Sequence, residues 1–303
     1  MCRVAKRSII KRLCKNLLTA LLLTVSAGAV AGEIVSDKLP SSVLEHSVSF
    51  TVYLPDGYYD SFDKYPVVYL LHGSGGDEQV WANHAGVRET LDGLIRRKKI
   101  APIIAVMPDG GFSWWIDGSA EPMQTMLRTE LIPYVEKQYE ADTGRDQRAF
   151  AGMSMGGFGV LNMALSHPEL LCAAGLLSPG VDNEPSEHSS ARSDTGQFVR
   201  NGKFDLALWQ NQSYPALLTP YRDKSTTVPI YIESGDHDQQ ATPIMMAQLF
   251  AELYSTQPEQ VELRIVDGDH EWLTFRDALP RALAFIQHKC KFSRLSDAVL
   301  TEE

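Results

Sequence analysis

The chain has 303 residues, 44% hydrophobic and 22% charged, a composition that excludes disordered and fibrous classes and suits one large globular domain or two small ones. Acidic residues outnumber basic ones 38 to 28, for a formal charge of −10, which argues against nucleic acid as a partner. The few basic residues are also unevenly placed. Arg3, Lys6, Arg7, Lys11, Arg12 and Lys15 all lie ahead of residue 32, leaving 28 − 6 = 22 basic against 38 acidic residues beyond it, a charge of 22 − 38 = −16.

Residues 1–31 have the layout of a bacterial export signal: a basic start, the apolar core "LLTALLLTVSAGAVA" and the small-x-small triplet Ala29-Val30-Ala31. A core of about 15 apolar residues falls short of the roughly 20 that a spanning helix needs. Cleavage is therefore expected, with a mature chain over 32–303 in the periplasm or medium and no stable membrane insertion. Cys2 and Cys14 leave with the signal. Cys172 and Cys290 remain, one entering a buried strand and the other ending the last helix, and they read as two separate, inert thiols.

Beyond the signal, "SVSFTVYLP" (47–55) alternates like a partly exposed strand. The runs at 65–73, 101–110, 148–152, 172–180, 228–236 and 261–269 are short, apolar and closed by turn residues. Strands buried on both faces imply a parallel sheet. Helical spacing recurs between them at 87–97, 123–139, 155–166, 243–255 and 277–288, and this alternation specifies a three-layer α/β sandwich. The rhythm breaks once, over about 180–227, where a polar stretch precedes the helical "FDLALWQN". An insertion of that length reads either as a lid or as a solvated loop.

Gly152-Met153-Ser154-Met155-Gly156 matches G-x-S-x-G between a strand and a helix, the turn that lifts a serine above a sheet with the next amide aimed at a developing oxyanion. A serine nucleophile needs a base and an orienting acid, in the chain order Ser, acid, His. "SGDHDQQ" offers Asp236 and Asp238 after one strand, and "DGDHEW" offers His270 after the last. His72, His84, His167, His188 and His237 read as structural or surface residues. "LLHGSGGDEQVW" bends an early loop so that an amide, that of Ser74, would face Met155 across the carbonyl. Its glycines lack the G-K-[ST] ending of a phosphate loop. Trp114, Trp115 and Trp272 directly follow strand ends, where ligands bind in such sheets, and are the candidates for an aromatic or acyl pocket.

The pieces "YLPDGYYDS…KYPVVYLLHGSGGDEQVW", "VMPDGG…SWW", "GMSMGGFGVLNMALSHPELL", "IESGDHD" and "DGDHEWLTFRDALPRALAFI" resemble the putative-esterase family of α/β-hydrolases, over about Phe50 to Ile286. The resemblance implies an α/β-hydrolase fold and serine-esterase activity on a small-molecule ester, with no cofactor and no metal. It places the nucleophile on Ser154, the G-x-x-D acid on Asp238, the base on His270 and the oxyanion positions on Ser74 and Met155. "GDHD" departs from the pattern by holding two acids, Asp236 and Asp238. One alternative stands beside hydrolysis, transfer of the acyl group to an alcohol; a metal-dependent hydrolase using "GDHD" and "DGDH" is disfavoured, because neither offers paired histidines at ligand spacing.

Overall fold

The computed structural model describes residues 31–61, 63–187, 189–192 and 196–292. All but the last residue of the expected signal segment lies outside them, as does His188. Among the described residues, eight strands form one sheet: β1 (Glu33–Pro40), β2 (Ser47–Leu54), β3 (Val67–Leu71), β4 (Ile104–Pro108), β5 (Arg148–Met153), β6 (Ala174–Leu177), β9 (Ile230–Gly235) and β10 (Val261–Val266). Their order is β1-β2-β4-β3-β5-β6-β9-β10. The pairings of β1 with β2 and of β2 with β4 form an antiparallel edge; from β4 to β10 every pairing is parallel.

The central strands are buried on both faces because their alternate side chains serve two separate cores. Val67, Tyr69 and Leu71 of β3 point to one core, Val68 and Leu70 to the other. The first core is closed by α5 (Met155–Ser166), α7 (Tyr214–Tyr221) and α8 (Pro243–Thr256), the second by α2 (Val87–Arg96) and α9 (Trp272–Cys290). The layers are those of an α/β-hydrolase. Helix α5 is apolar all round, with Met155 to Leu165 buried, as befits a helix enclosed on every side. Its one buried amide, Asn162, is satisfied by Gln124 Nε2 and by the Gln212 carbonyl.

Several boundaries differ from the sequence reading. Strand β1 carries no clear apolar alternation and exists by pairing along its whole length with β2. Strand β10 is an edge strand, so Arg264 and Ile265 are exposed where a buried run was expected. The last helix begins at Trp272, five residues earlier than its apolar spacing suggested, and passes through Pro280. Its first turn is held instead by aromatic contacts of Phe275 with His270 and Trp272.

The expectation of separate thiols is corrected. Cys172 and Cys290 form a disulfide across 118 residues, with Cα atoms 5.3 Å apart. Helix α9 returns antiparallel to the strands it covers, so its last residue comes down beside the entry to β6. That proximity is a consequence of topology and is invisible in the spacing of the two cysteines.

The insertion folds into a small hairpin, β7 (Val199–Arg200) with β8 (Lys203–Phe204), followed by α6 (Leu206–Gln212) and α7. Asp205 caps α6 by accepting from the amides of Ala207 and Leu208. Trp209 is buried, donates Nε1–H to the Asp182 carbonyl at 2.8 Å and stacks on Phe158 of α5. The insertion is thus fastened to the central helix, and its residue Ser190 reaches the cleft described next.

Candidate active site

Ser154 stands at the corner between β5 and α5 with φ 53° and ψ −119°, a left-handed conformation that an L-residue keeps only when its surroundings impose it. Two close approaches impose it. A Cβ on Gly156 would lie 2.1 Å from the Leu71 carbonyl oxygen, and one on Gly152 2.4 Å from the Gly156 backbone. Glycine at both positions lets β5, β3 and the start of α5 close on one another. The Ser154 amide donates to the Leu177 carbonyl at 2.9 Å, tying the corner to β6 as well.

His270 lies between β10 and α9. Its Nε2 is 2.9 Å from Ser154 Oγ, its Nδ1 is 2.9 Å from Asp238 Oδ2, and Phe275 packs edge-on against the ring at 5.1 Å. Asp238, on the loop after β9, is buried. Its Oδ1 accepts from the Gln240 and Ala241 amides, each at 2.8 Å. Burial pushes the carboxyl pKa up, but the hydrogen bonds and charge of His270 and the two amides outweigh it and hold the group below its ordinary value. An ionised Asp238 fixes the proton on His270 Nδ1. The Nε2 lone pair then faces the Ser154 hydroxyl, which donates to it, and can take its proton.

Asp236 is placed differently. It is exposed, accepts from the Gly268 amide at 3.1 Å and sits 2.9 Å from His237 Nδ1, so it joins the two loops without touching His270. Asp236, His237 and Asp267 have ligand atoms within 4.8 Å of one another. All three are exposed, and none lines the cleft that holds Ser154.

The "LHGSGG" loop runs beside the serine: a Cβ on Gly73 would be 3.4 Å from Ser154 Cβ. His72 fixes this loop from beneath. Its Nε2 accepts from the Gly110 amide at 2.8 Å and its Nδ1–H donates to the Gly73 carbonyl at 2.7 Å, which defines a neutral ring. Burial drives its pKa below the ordinary histidine value, against the opposing pull of the Gly73 hydrogen bond and Asp109. Ser74 lies next in the loop and lines the cleft, while Met155 opens α5 with its amide at the helix N-terminus.

The cleft has a volume of about 440 Å³ and is walled by Ser74, Val80, Ser154, His270 and Trp272 among others. Trp272 is 36% exposed and stacks on His84 at 4.9 Å, presenting a supported aromatic surface next to the serine. Trp114 and Trp115 do not line it, which corrects their assignment as pocket residues. Both take left-handed backbone angles, φ 56° and 59°, and both indoles are buried. Trp115 donates Nε1–H to the His72 carbonyl at 3.0 Å, bracing the loop from behind; Trp114 packs against Phe158, Phe198 and Trp209. The sequence reading missed the part of His72 and Phe275 in positioning the site. The "HGSGG" spacing carried a signal for the first, and nothing short of the early start of α9 for the second.

A family model described as Putative esterase matches residues 41–286. An endo-1,4-beta-xylanase/feruloyl esterase of Xylanibacter ruminicola is 38% identical over 175 residues, 55% of this chain and 24% of that protein. The aligned part is thus about a quarter of that relative's length. The structure of a ferulic acid esterase superposes with a TM-score of 0.71 at 26% identity, covering 86% of this chain and 99% of that one. An S-formylglutathione hydrolase from Agrobacterium tumefaciens shares the fold, with a TM-score of 0.67 at 20% identity over 86% of this chain and 96% of that one.

Proposed function

The chain belongs to the Putative esterase family of α/β-hydrolases, and from that premise we propose that it is an exported serine carboxylesterase acting on an acyl or aromatic, feruloyl-like ester. One observation carries the reading. Ser154 Oγ, His270 and buried Asp238 form an unbroken chain of 2.9 Å contacts on the wall of an open cleft.

His270 Nε2 takes the Ser154 proton as Oγ attacks the ester carbonyl, and Asp238 stabilises the imidazolium and its tautomer. The tetrahedral oxyanion is held by the Met155 and Ser74 amides; one such donor is typically worth about 10²–10³ in rate. Imidazolium then returns the proton to the departing alcohol, leaving an acyl-enzyme. Water, deprotonated by the same His270, releases the acid. Trp272 is the surface against which an aromatic acid would lie. The feruloyl esterase activity named for the relative from Xylanibacter supports that acyl class.

The Cys172–Cys290 disulfide supports export, since such bonds persist in oxidising compartments. Among the described residues no helix is long and apolar enough to cross a membrane. Hydrolysis of p-nitrophenyl acetate and of methyl ferulate, unaffected by a chelator and abolished by a serine-reactive phosphonate, is the expected result. Chelator-sensitive hydrolysis would favour a metal mechanism instead.

A further inference from the structure

Two serines beneath Asp238 take no part in the steps above, yet both are buried: Ser178, which follows β6, and Ser234 of β9. Ser234 Oγ donates to the Ala241 carbonyl at 2.8 Å and stands 3.5 Å from Asp238 Oδ2. A serine hydroxyl has one proton to give, and the shorter contact takes it. In the 3.3 Å contact between Ser178 Oγ and Ser234 Oγ, Ser178 is therefore the donor.

These bonds grip residue Ala241 from both ends. Its amide donates to Asp238 Oδ1, while its carbonyl accepts from Ser234. The Ser178 amide donates to the Glu233 carbonyl at 2.7 Å, and the Ser154 amide to the Leu177 carbonyl at 2.9 Å, so the ends of β6 and β9 are joined to each other and to the nucleophile's corner. The contacts thus form a closed ring: from Ser154 Oγ through His270, Asp238, Ala241, Ser234 and Ser178 to the adjoining Leu177, and back to the Ser154 amide. Ser178 keeps φ 45°, a left-handed angle that a residue other than glycine holds only where its surroundings impose it.

We infer that Ser234, oriented by Ser178, is a positioning residue for the triad: it anchors Ala241 to the sheet and thereby sets the tilt of the Asp238 carboxylate that meets His270. The inference rests on the serine-esterase reading above. Asp238 Oδ1 is held by amides of a short loop, and a loop holds a precise angle only when a rigid element fastens it. Ser234 supplies that fastening from within a strand. Were Ala241 free to shift, Oδ1 would follow it and Oδ2 would leave the line of His270 Nδ1–H. The weakened bond is the one that stabilises the imidazolium, which exists only as Ser154 is attacking or its acyl group is leaving. The loss therefore falls on kcat and leaves substrate binding nearly intact.

The test compares Ser234→Ala and Ser178→Ala with wild type by steady-state kinetics on p-nitrophenyl acetate and by proton NMR. A proton shared between an imidazole nitrogen and a carboxylate resonates far downfield, and Asp238→Asn identifies the His270 Nδ1–H signal by losing it. A shift of about 1 Å in a reacting group can cost about 10²-fold, so the partial release in Ser234→Ala should lower kcat by about 10-fold, with KM within about twofold. Its downfield signal should weaken or move upfield, although Asp238 and His270 are both present. Ser178→Ala, one bond further away, should shift both readouts in the same direction by a smaller amount. A Ser234→Ala protein with kcat within about twofold of wild type overturns the inference, as does a fall in kcat with the downfield signal unchanged, which would mark a packing role. Should Ser234→Ala not fold, Ser178→Ala decides: kcat and signal both equal to wild type overturn the inference, and a joint decline upholds it. Turnover surviving in Ser154→Ala would remove the serine-esterase reading itself, whereas an inactive Ser154→Ala beside a normal Ser234→Ala would remove the Ser234 proposal alone.

Discussion

Removing the Cys172–Cys290 bond tests how far the domain depends on a link between its last helix and its central sheet. The bond closes a loop of 118 residues, and constraining a loop of that length in the unfolded chain corresponds to about 5 kcal/mol on the chain-entropy account, with measured losses for native disulfides of about 2–5 kcal/mol. For a domain of this size each kcal/mol moves Tm by about 2 °C. The Cys172→Ala/Cys290→Ala variant should therefore melt about 4–10 °C lower. Both residues are buried and neither lines the cleft, so kcat at 25 °C should be unchanged. Differential scanning calorimetry gives the shift, and thiol titration of the unreduced, unfolded wild type should find no free thiol from this pair. Two titratable thiols, or a variant with wild-type Tm, would refute the reasoning.

The two acids should separate cleanly. Asp238→Asn loses the charge that orients His270 and should reduce kcat by about 10⁴ with KM little altered, while Asp236→Asn should be mild; the reverse ranking in steady-state kinetics would exchange their roles. His72 should make stability depend on pH. Its folded pKa is depressed by burial, so the unfolded chain binds more protons below about pH 6.5. Its contribution is full above that pH and falls by up to about 1.4 kcal/mol per unit as pH drops towards the folded value. Urea midpoints at pH 7.5, 6.5 and 5.5 should show this slope in wild type and a weaker one in His72→Gln. Trp272→Ala should raise KM for methyl ferulate several-fold while leaving p-nitrophenyl acetate nearly untouched, and equal effects on both esters would show that the ring has no part in acyl selection.

Much of the molecule could be read from local pattern because local steric needs wrote it. The corner at Ser154 demands glycine at 152 and 156, where any Cβ would meet backbone at about 2 Å, so the pentapeptide marks the serine directly. Helix α5 and the strands β3 to β6 announced themselves as apolar runs between turns, since both faces of each strand are covered. What escaped depends on contacts distant in sequence. Strand β1 is held by β2, Cys172 meets Cys290 through the return of α9, and Trp114 and Trp115 turn inward at a left-handed bend that composition does not signal. Asp236 and Asp238 are a mixed case: the residues alone left both open and the family pattern G-x-x-D selected Asp238, while it is the fold that brings this carboxylate, bonded to two amides, to His270.

The central claim is that Ser154 is the nucleophile, poised by His270 and Asp238. Mass mapping of the protein after reaction with a fluorophosphonate, with a parallel kcat measurement on Ser154→Ala, addresses it most directly. The account predicts one adduct, on the peptide carrying Ser154, lost in Ser154→Ala together with esterase turnover while Tm stays near wild type. An adduct on another serine, or a Ser154→Ala protein that still turns over ester at the wild-type rate, would contradict it.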